Sequence, residues 1–183
     1  MSRIQPTLGR RIRARLGSWW LIGGLGVLYF ISQAIIGSIL HALDPSTVLE
    51  LQTTLSSKTF AGILGQWRET GLLETYWRHY YFDFPHPFLY STFLAALLSK
   101  AFDANDIDHR YDNLLIIPFG AGALDLVENL CHVTMLLDAD AITAPRVVLS
   151  GIAANLKWLG ALACIAAVAM LAVRAGFRKA MIP

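Results

Sequence analysis

Residues 19–43 read WWLIGGLGVLYFISQAIIGSILHAL, a stretch without a single Asp, Glu, Lys or Arg. At 1.5 Å of rise per residue, a helix of that length crosses the roughly 30 Å hydrocarbon core of a bilayer. A signal peptide would also put arginines ahead of an apolar run, as Arg10, Arg11, Arg13 and Arg15 stand here. Its apolar part is usually only about 7 to 15 residues long and ends at an A-x-A-like site, which is missing. The stretch is read as a first transmembrane helix.

Three further runs extend that reading. Residues 84–102 (FPHPFLYSTFLAALLSKAF) are near the minimum spanning length, with Pro85 and Pro87 where a first helical turn tolerates proline. Residues 113–137 are long enough for a third span, although they hold Asp125, Glu128, Asn129 and His132. Residues 147–173 form the fourth, interrupted by Asn155, Lys157 and a few small polar residues. Across the chain 55% of residues are hydrophobic and 15% charged, against roughly 25% charged in soluble domains. The expected fold is therefore all-α: one membrane domain over residues 1–183 with four transmembrane helices, its principal partner the lipid bilayer.

Net charge is +2 and the basic residues sit at helix ends, so no nucleic-acid surface is indicated. Cys131 and Cys164 lie inside apolar runs without a CxxC or Cys/His spacing. Neither a disulfide framework nor a metal site follows, no cofactor is implied, and both read as small buried hydrophobes.

Lys and Arg in the connections set the expected orientation. Arg3, Arg10, Arg11, Arg13, Arg15, Lys100, Arg110, Arg174, Arg178 and Lys179 fall on one side, ten residues against Lys58, Arg68, Arg78 and Arg146 on the other. Both termini should be cytoplasmic. Residues 44–83 then form a long external connection. In it Phe60, Ile63, Leu64 and Trp67 follow i, i+3, i+4, i+7, and Leu73, Tyr76, Trp77 and Tyr80 repeat the pattern after Gly71. This predicts two short amphipathic helices, or one broken at the glycine. Their aromatic face suits either the membrane interface or packing on the outer ends of the bundle.

Polar residues recur at one depth. Counted from residue 137, Asp125 lies about 18 Å deep, Glu128 about 13 Å and His132 about 7 Å. Lys157, counted from residue 146, lies about 16 Å deep. Asp125, Glu128, Asn129 and His132 stand at i, i+3, i+4 and i+7, one stripe that should face the bundle interior. Gln33 on the first helix and Tyr90 on the second share that slab, while Asp83 and His86 stand ahead of the second helix, where they could line an entrance. Asn155 is roughly 200° around the helix from Lys157, so the two cannot both point at the centre. The layer can be a packing lock or a site for a ligand, a proton relay or acid/base chemistry.

Two segments carry a resemblance. DFPHPFLYSTFLAALL from Asp83 and IPFGAGALDLVENLCH from Ile117 resemble an uncharacterised group of bacterial four-helix membrane proteins. The group shares an Asp and an aromatic-Pro-x-x-Tyr pattern at the opening of helix two and D-x-x-E-N in helix three; Asp83, Pro87, Tyr90, Asp125, Glu128 and Asn129 match. The resemblance implies the bacterial inner membrane without implying an activity. Four helices with buried acids under an aromatic cap are also similar to the sterol-isomerase and sigma-2-receptor family, from which Lys157 and the spacing of the acids depart.

Three functions stay open on the sequence. One is binding of a lipid or small molecule in an outer-leaflet cavity lined by Asp125, Glu128, Asn129, His132 and Lys157 under the external segment. A second is acid/base catalysis on a lipidic substrate by Glu128 or Asp125, with Lys157 or His132 tuning it. The third is a scaffold offering its aromatic cap to a membrane complex. Transport would require a homo-oligomer, since four helices are few for an inverted repeat.

Overall fold

The computed structural model describes residues 7–180, with side chains through Arg178. Arg3 and the Lys179 side chain, both counted in the basic clusters above, lie outside the described residues. The elements are α1 (Leu8–Leu16), α2 (Trp19–Leu40), α3 (Pro45–Thr53), α4 (Ser57–Glu69), α5 (Leu73–Asp83), α6 (His86–Ala104), α7 (Ile117–Leu137) and α8 (Ala144–Ala180). A 3₁₀ segment, His109–Ile116, leads into α7, and a short one, Ala139–Ala141, links α7 to α8.

Three stretches are long and apolar enough to cross a membrane: Trp19–Leu40, His109–Leu137 and Ala144–Arg178. Trp20, Val27 and Phe30 on α2, and Leu159, Leu162 and Met170 on α8, are large hydrophobes left exposed on outer faces. Such surface is stable against acyl chains and costly against water. α6 packs against α2, α7 and α8. Its Ala95, Ala96 and Ser99 are fully buried. Small side chains at that seam let backbones approach closely where lipid supplies no hydrophobic drive.

Helix bounds differ from the sequence expectation at nearly every end. The first membrane helix stops at Leu40, not residue 43, and Leu43 turns back into the cap with its N–H bonded to the Leu40 carbonyl at 2.9 Å. The run expected over 84–102 is helical from His86 to Ala104, and it is not among the three stretches named above as long and apolar enough to cross a membrane. The third, expected over 113–137, is α-helical only from Ile117, because the preceding turns are wound as 3₁₀. The fourth reaches from Ala144 to Ala180, well beyond 147–173.

The connection over residues 44–83 holds three helices where two were expected. α3 was missed because its apolar residues are sparse, yet its start is marked: Asp44 caps it, accepting from the Thr47 N–H at 2.8 Å, and Pro45 opens the first turn. Hydrogen bonds from Ser46 and Thr47 hold the Asp44 carboxyl down at about 2. Ser56 caps α4 in the same way. Between α4 and α5 the chain reverses at Gly71, whose φ of +75° favours a residue without Cβ.

The aromatic face of these helices packs inward. Phe60, Ile63, Leu64 and Trp67 of α4 join Leu43, Leu51, Tyr76 and Tyr80 in one core with Met135 of α7 and Val147 of α8. Of the two readings of that face, the structure takes packing on the bundle ends. The α3–α4 link is pinned to α8: Asn155 Nδ2 donates to the Thr53 carbonyl at 3.0 Å, and a Cβ on Gly151 would lie 2.3 Å from the Thr54 carbonyl oxygen. Asn155 therefore faces the α3–α4 link while Lys157 faces the interior, as their angular separation required.

Candidate functional site

On α7 the i, i+3 spacing of Asp125 and Glu128 puts both carboxylates on the face turned to α8. There Lys157 Nζ lies 2.6 Å from Asp125 Oδ1 and 2.7 Å from Glu128 Oε2. The shared depth expected for Asp125, Glu128 and Lys157 thus becomes contact of the lysine with both acids. Exposure is 5% for Asp125, 0% for Glu128 and 7% for Lys157, so the ion pairs are shielded from solvent.

Behind this pair a second polar layer runs up into the cap. Both the Tyr76 and Tyr80 hydroxyls face His132 Nδ1, at 3.2 and 3.0 Å, and the Tyr80 hydroxyl donates to that of Tyr76 at 3.0 Å. Burial pushes both phenols up and pushes the His79 imidazole down, so near neutral pH these cap groups act as uncharged hydrogen-bonding groups. Asn129 Nδ2 donates to the Asp83 carbonyl at 3.4 Å, tying α7 to the end of α5. Glu128 Oε1 and His132 Nε2 are buried with no hydrogen-bond partner among the described residues.

In front of the pair is open space. α2 packs on α5 and α6, α8 packs on α7 and α6, and α3 lies against α8. Between α2 and α8, with α6 behind and α3 above, is a cleft of about 950 Å³. Its polar end presents Asp83, His79, His86, Tyr90, Asp125 and Lys157. Its walls are apolar, with Tyr29, Phe30 and Ile36 on one side and Trp158, Ala161 and Ile165 on the other.

The groups at the polar end are held firmly. His86 Nδ1 is 2.9 Å from Ser32 Oγ, and its ring stacks on Tyr29 with centroids 5.5 Å apart. His79 Nδ1 donates to the Tyr76 carbonyl, which turns Nε2 toward Asp83 Oδ2 at 4.0 Å. The Tyr90 hydroxyl faces Asp125. No family model, curated protein or solved structure matches this chain. The geometry alone therefore has to carry the functional reading.

Of the residues singled out from the sequence, Gln33, Asp83, His86, Tyr90, Asp125 and Lys157 line the cleft. Glu128, Asn129 and His132 are buried behind it and do not reach its surface. His79 was missed. Its signal was legible, since Tyr76, His79, Tyr80 and Asp83 stand at i, i+3, i+4 and i+7 on α5. Of the two cysteines read as buried, Cys164 is buried and Cys131 is half-buried; both are free thiols.

Proposed function

We propose that the protein is a four-span bacterial inner-membrane protein that binds a lipid or an amphiphilic small molecule in the cleft between α2 and α8. The observation that carries this is the cleft itself. Ion pairing of Lys157 with two acids would serve a packing lock equally well, but a lock needs no adjoining space. The volume of about 950 Å³ is at the upper end of the roughly 300–1,000 Å³ usual for small-molecule sites. One end offers carboxylates, an ammonium, imidazoles and a phenol; the rest is apolar. An amphiphile matches that division, its headgroup at Asp83, Asp125 and Lys157 and its apolar part between α2 and α8.

Native mass spectrometry from mild detergent tests the reading. The wild-type chain is expected to carry a retained small molecule. Gly37→Leu should abolish that retention without unfolding the protein, because Gly37 lines the cleft and a Cβ there meets nothing within 4 Å. A wild-type protein that carries nothing, or a Gly37→Leu protein that carries as much as wild type, defeats the proposal.

The fourth crossing is assigned to α6, whose nineteen residues lie alongside α2, α7 and α8. Both termini are then cytoplasmic and the cap external, a topology supported by ten basic residues against four. On a cysteine-free background, Ser57→Cys in intact cells should react with an impermeant thiol reagent and Gly176→Cys should not. The opposite pattern reverses the topology. Membership of the bacterial group that shares Asp83, Pro87, Tyr90 and the D-x-x-E-N residues belongs to the same proposal.

A second reading makes the bound amphiphile a substrate for proton transfer. It is favoured by His79 and Asp83, whose Nε2 and Oδ2 face one another at 4.0 Å at the wall of the cleft. In that case Asp83, His79 and Asp125 are the groups with access to substrate, and Glu128 acts only through Lys157. The scaffold reading has less support, because the aromatic face it would offer is spent on the bundle ends.

A further inference from the structure

The end of the bundle opposite the cap holds a second concavity, of about 710 Å³, bounded by α1, the start of α2, the end of α6 and the 3₁₀ segment. Arg10, Arg11, Arg13, Arg15 and His109 line it together with a single carboxylate, Asp103.

α1 is a fixed element. Arg13 is only 8% exposed; its Nε donates to Asp103 Oδ1 at 2.7 Å, and its Nη1 donates to Asp112 Oδ1 at 2.7 Å and to the Ile107 carbonyl at 2.9 Å. Burial opposes the Arg13 charge, but the hydrogen bonds to Asp112 and Asp103 outweigh it and hold the guanidinium protonated. Ile12, one residue earlier, packs on the Leu94, Phe102 and Leu115 cluster. Asp103 is thus already committed to Arg13. Arg10 and Arg15 are exposed and make no ion pair among the described residues, and Arg11 and His109 add to the same rim. The concavity is cationic, and its cations are carried on a docked helix.

Its depth is fixed by the chain. Gly17 and Ser18 line it, and the next residue, Trp19, begins the 22-residue apolar α2. Trp19 is 67% and Trp20 93% exposed, and Lys100 Nζ of α6 lies 5.3 Å from the Trp19 ring centre. Exposed tryptophans at the end of a membrane helix mark the headgroup level, where their rings bury and their N–H stays wet. Below them α2 presents a bare apolar face through Leu21, Val27 and Leu28.

We infer that this concavity binds the phosphate headgroup of an acidic phospholipid, with its acyl chains lying along the exposed face of α2. Arg10 and Arg15 supply the charge, Arg11 and His109 flank it, and the Arg13 network holds α1 in place. The site is at the other end of the molecule from the cleft and does not depend on what the cleft binds.

The test is a lipid titration of the full chain in mild detergent, read by native mass spectrometry, with dioleoyl phosphatidylglycerol and, separately, dioleoyl phosphatidylcholine. Wild type should retain phosphatidylglycerol in clear preference. Each basic residue near an acidic lipid contributes roughly fivefold, so Arg10→Gln/Arg15→Gln should lower that preference by roughly twenty-five-fold. Ala14→Phe, which fills the concavity without changing charge, should lower it too, whereas Arg174→Gln, at the same end but outside the concavity, should leave it nearly unchanged. Millimolar inorganic phosphate should not displace the lipid. The inference is overturned if Arg10→Gln/Arg15→Gln keeps the wild-type preference, if Arg174→Gln loses as much as that double variant, or if inorganic phosphate competes, which would make this a free-anion site.

Discussion

Lys157→Met should be the most damaging single substitution in the membrane domain, lowering stability in mild detergent by about 3–5 kcal/mol. Among the described residues Lys157 is the only cation facing Asp125 and Glu128, at 2.6 and 2.7 Å, and its loss leaves two buried carboxylates side by side. One or both must then take up a proton or draw in water, and either costs. Glu128→Gln should cost less, about 1–2 kcal/mol, because Asp125 still pairs with the lysine. Glu128→Gln/Lys157→Met should be more stable than Lys157→Met alone, and adding Asp125→Asn should recover most of the remainder, since an uncharged group of similar shape replaces each buried charge.

Thermal unfolding of the single, double and triple variants measures this. Strictly additive losses would mean that the three residues do not interact, and would remove the shared polar layer. The same variants bear on function. A well-folded triple variant that no longer retains the cleft ligand places Asp125 and Lys157 in binding; one that retains it fully marks the ion pair as a packing device.

The second large effect is expected at the opposite end. Arg13→Met should destabilise the chain by about 3 kcal/mol or more, because Asp112 is fully buried and would keep only His109 Nδ1, at 2.9 Å, as a partner. Asp103 is a different case. Its side chain is 47% exposed, so Asp103→Asn should cost well under about 1 kcal/mol. Arg13→Met/Asp112→Asn should be less damaging than Arg13→Met, by the argument used for Lys157. Thermal unfolding gives the size, and limited trypsin digestion gives the location. With its anchor gone, α1 should be cut at Arg10, Arg11 and Arg15 before the bundle unfolds. An Arg13→Met protein as resistant as wild type would show that Ile12 and its apolar contacts alone hold α1.

The contrast between these two networks shows what a sequence discloses and what it does not. Asp125, Glu128 and Lys157 were conspicuous because charges are rare in apolar runs, and their shared depth follows from counting helical rises. Arg13 and Asp112 were invisible. Each lies in a charged stretch, where one arginine among four and one aspartate among several carry no sign of which is buried. His79 is a different case: its helical spacing with Tyr76, Tyr80 and Asp83 placed it on the inward face of α5, but not at the cleft. Asp44 and Pro45 spelled out the start of α3, but a nine-residue helix with little apolar periodicity gives no reason to look for it.

The sequence by itself determined that this chain is helical and belongs in a bilayer, because uncharged runs longer than the hydrocarbon core can satisfy their backbone groups there only as helices. It also determined that Asp125, Glu128, Asn129 and His132 share a face, since the 3.6-residue repeat is local. Only the tertiary structure decided which members of that face meet open space. The face was expected to line one cavity. Instead Asp125 and Lys157 front a cleft between α2 and α8, while Glu128, Asn129 and His132 are sealed beneath the cap by Tyr76, Tyr80 and the Asp83 backbone. Helical periodicity gives a residue's angle around its own axis. Whether that angle faces a neighbour, a ligand or lipid depends on how far apart two helices stand, and that distance is set by side chains distant in sequence.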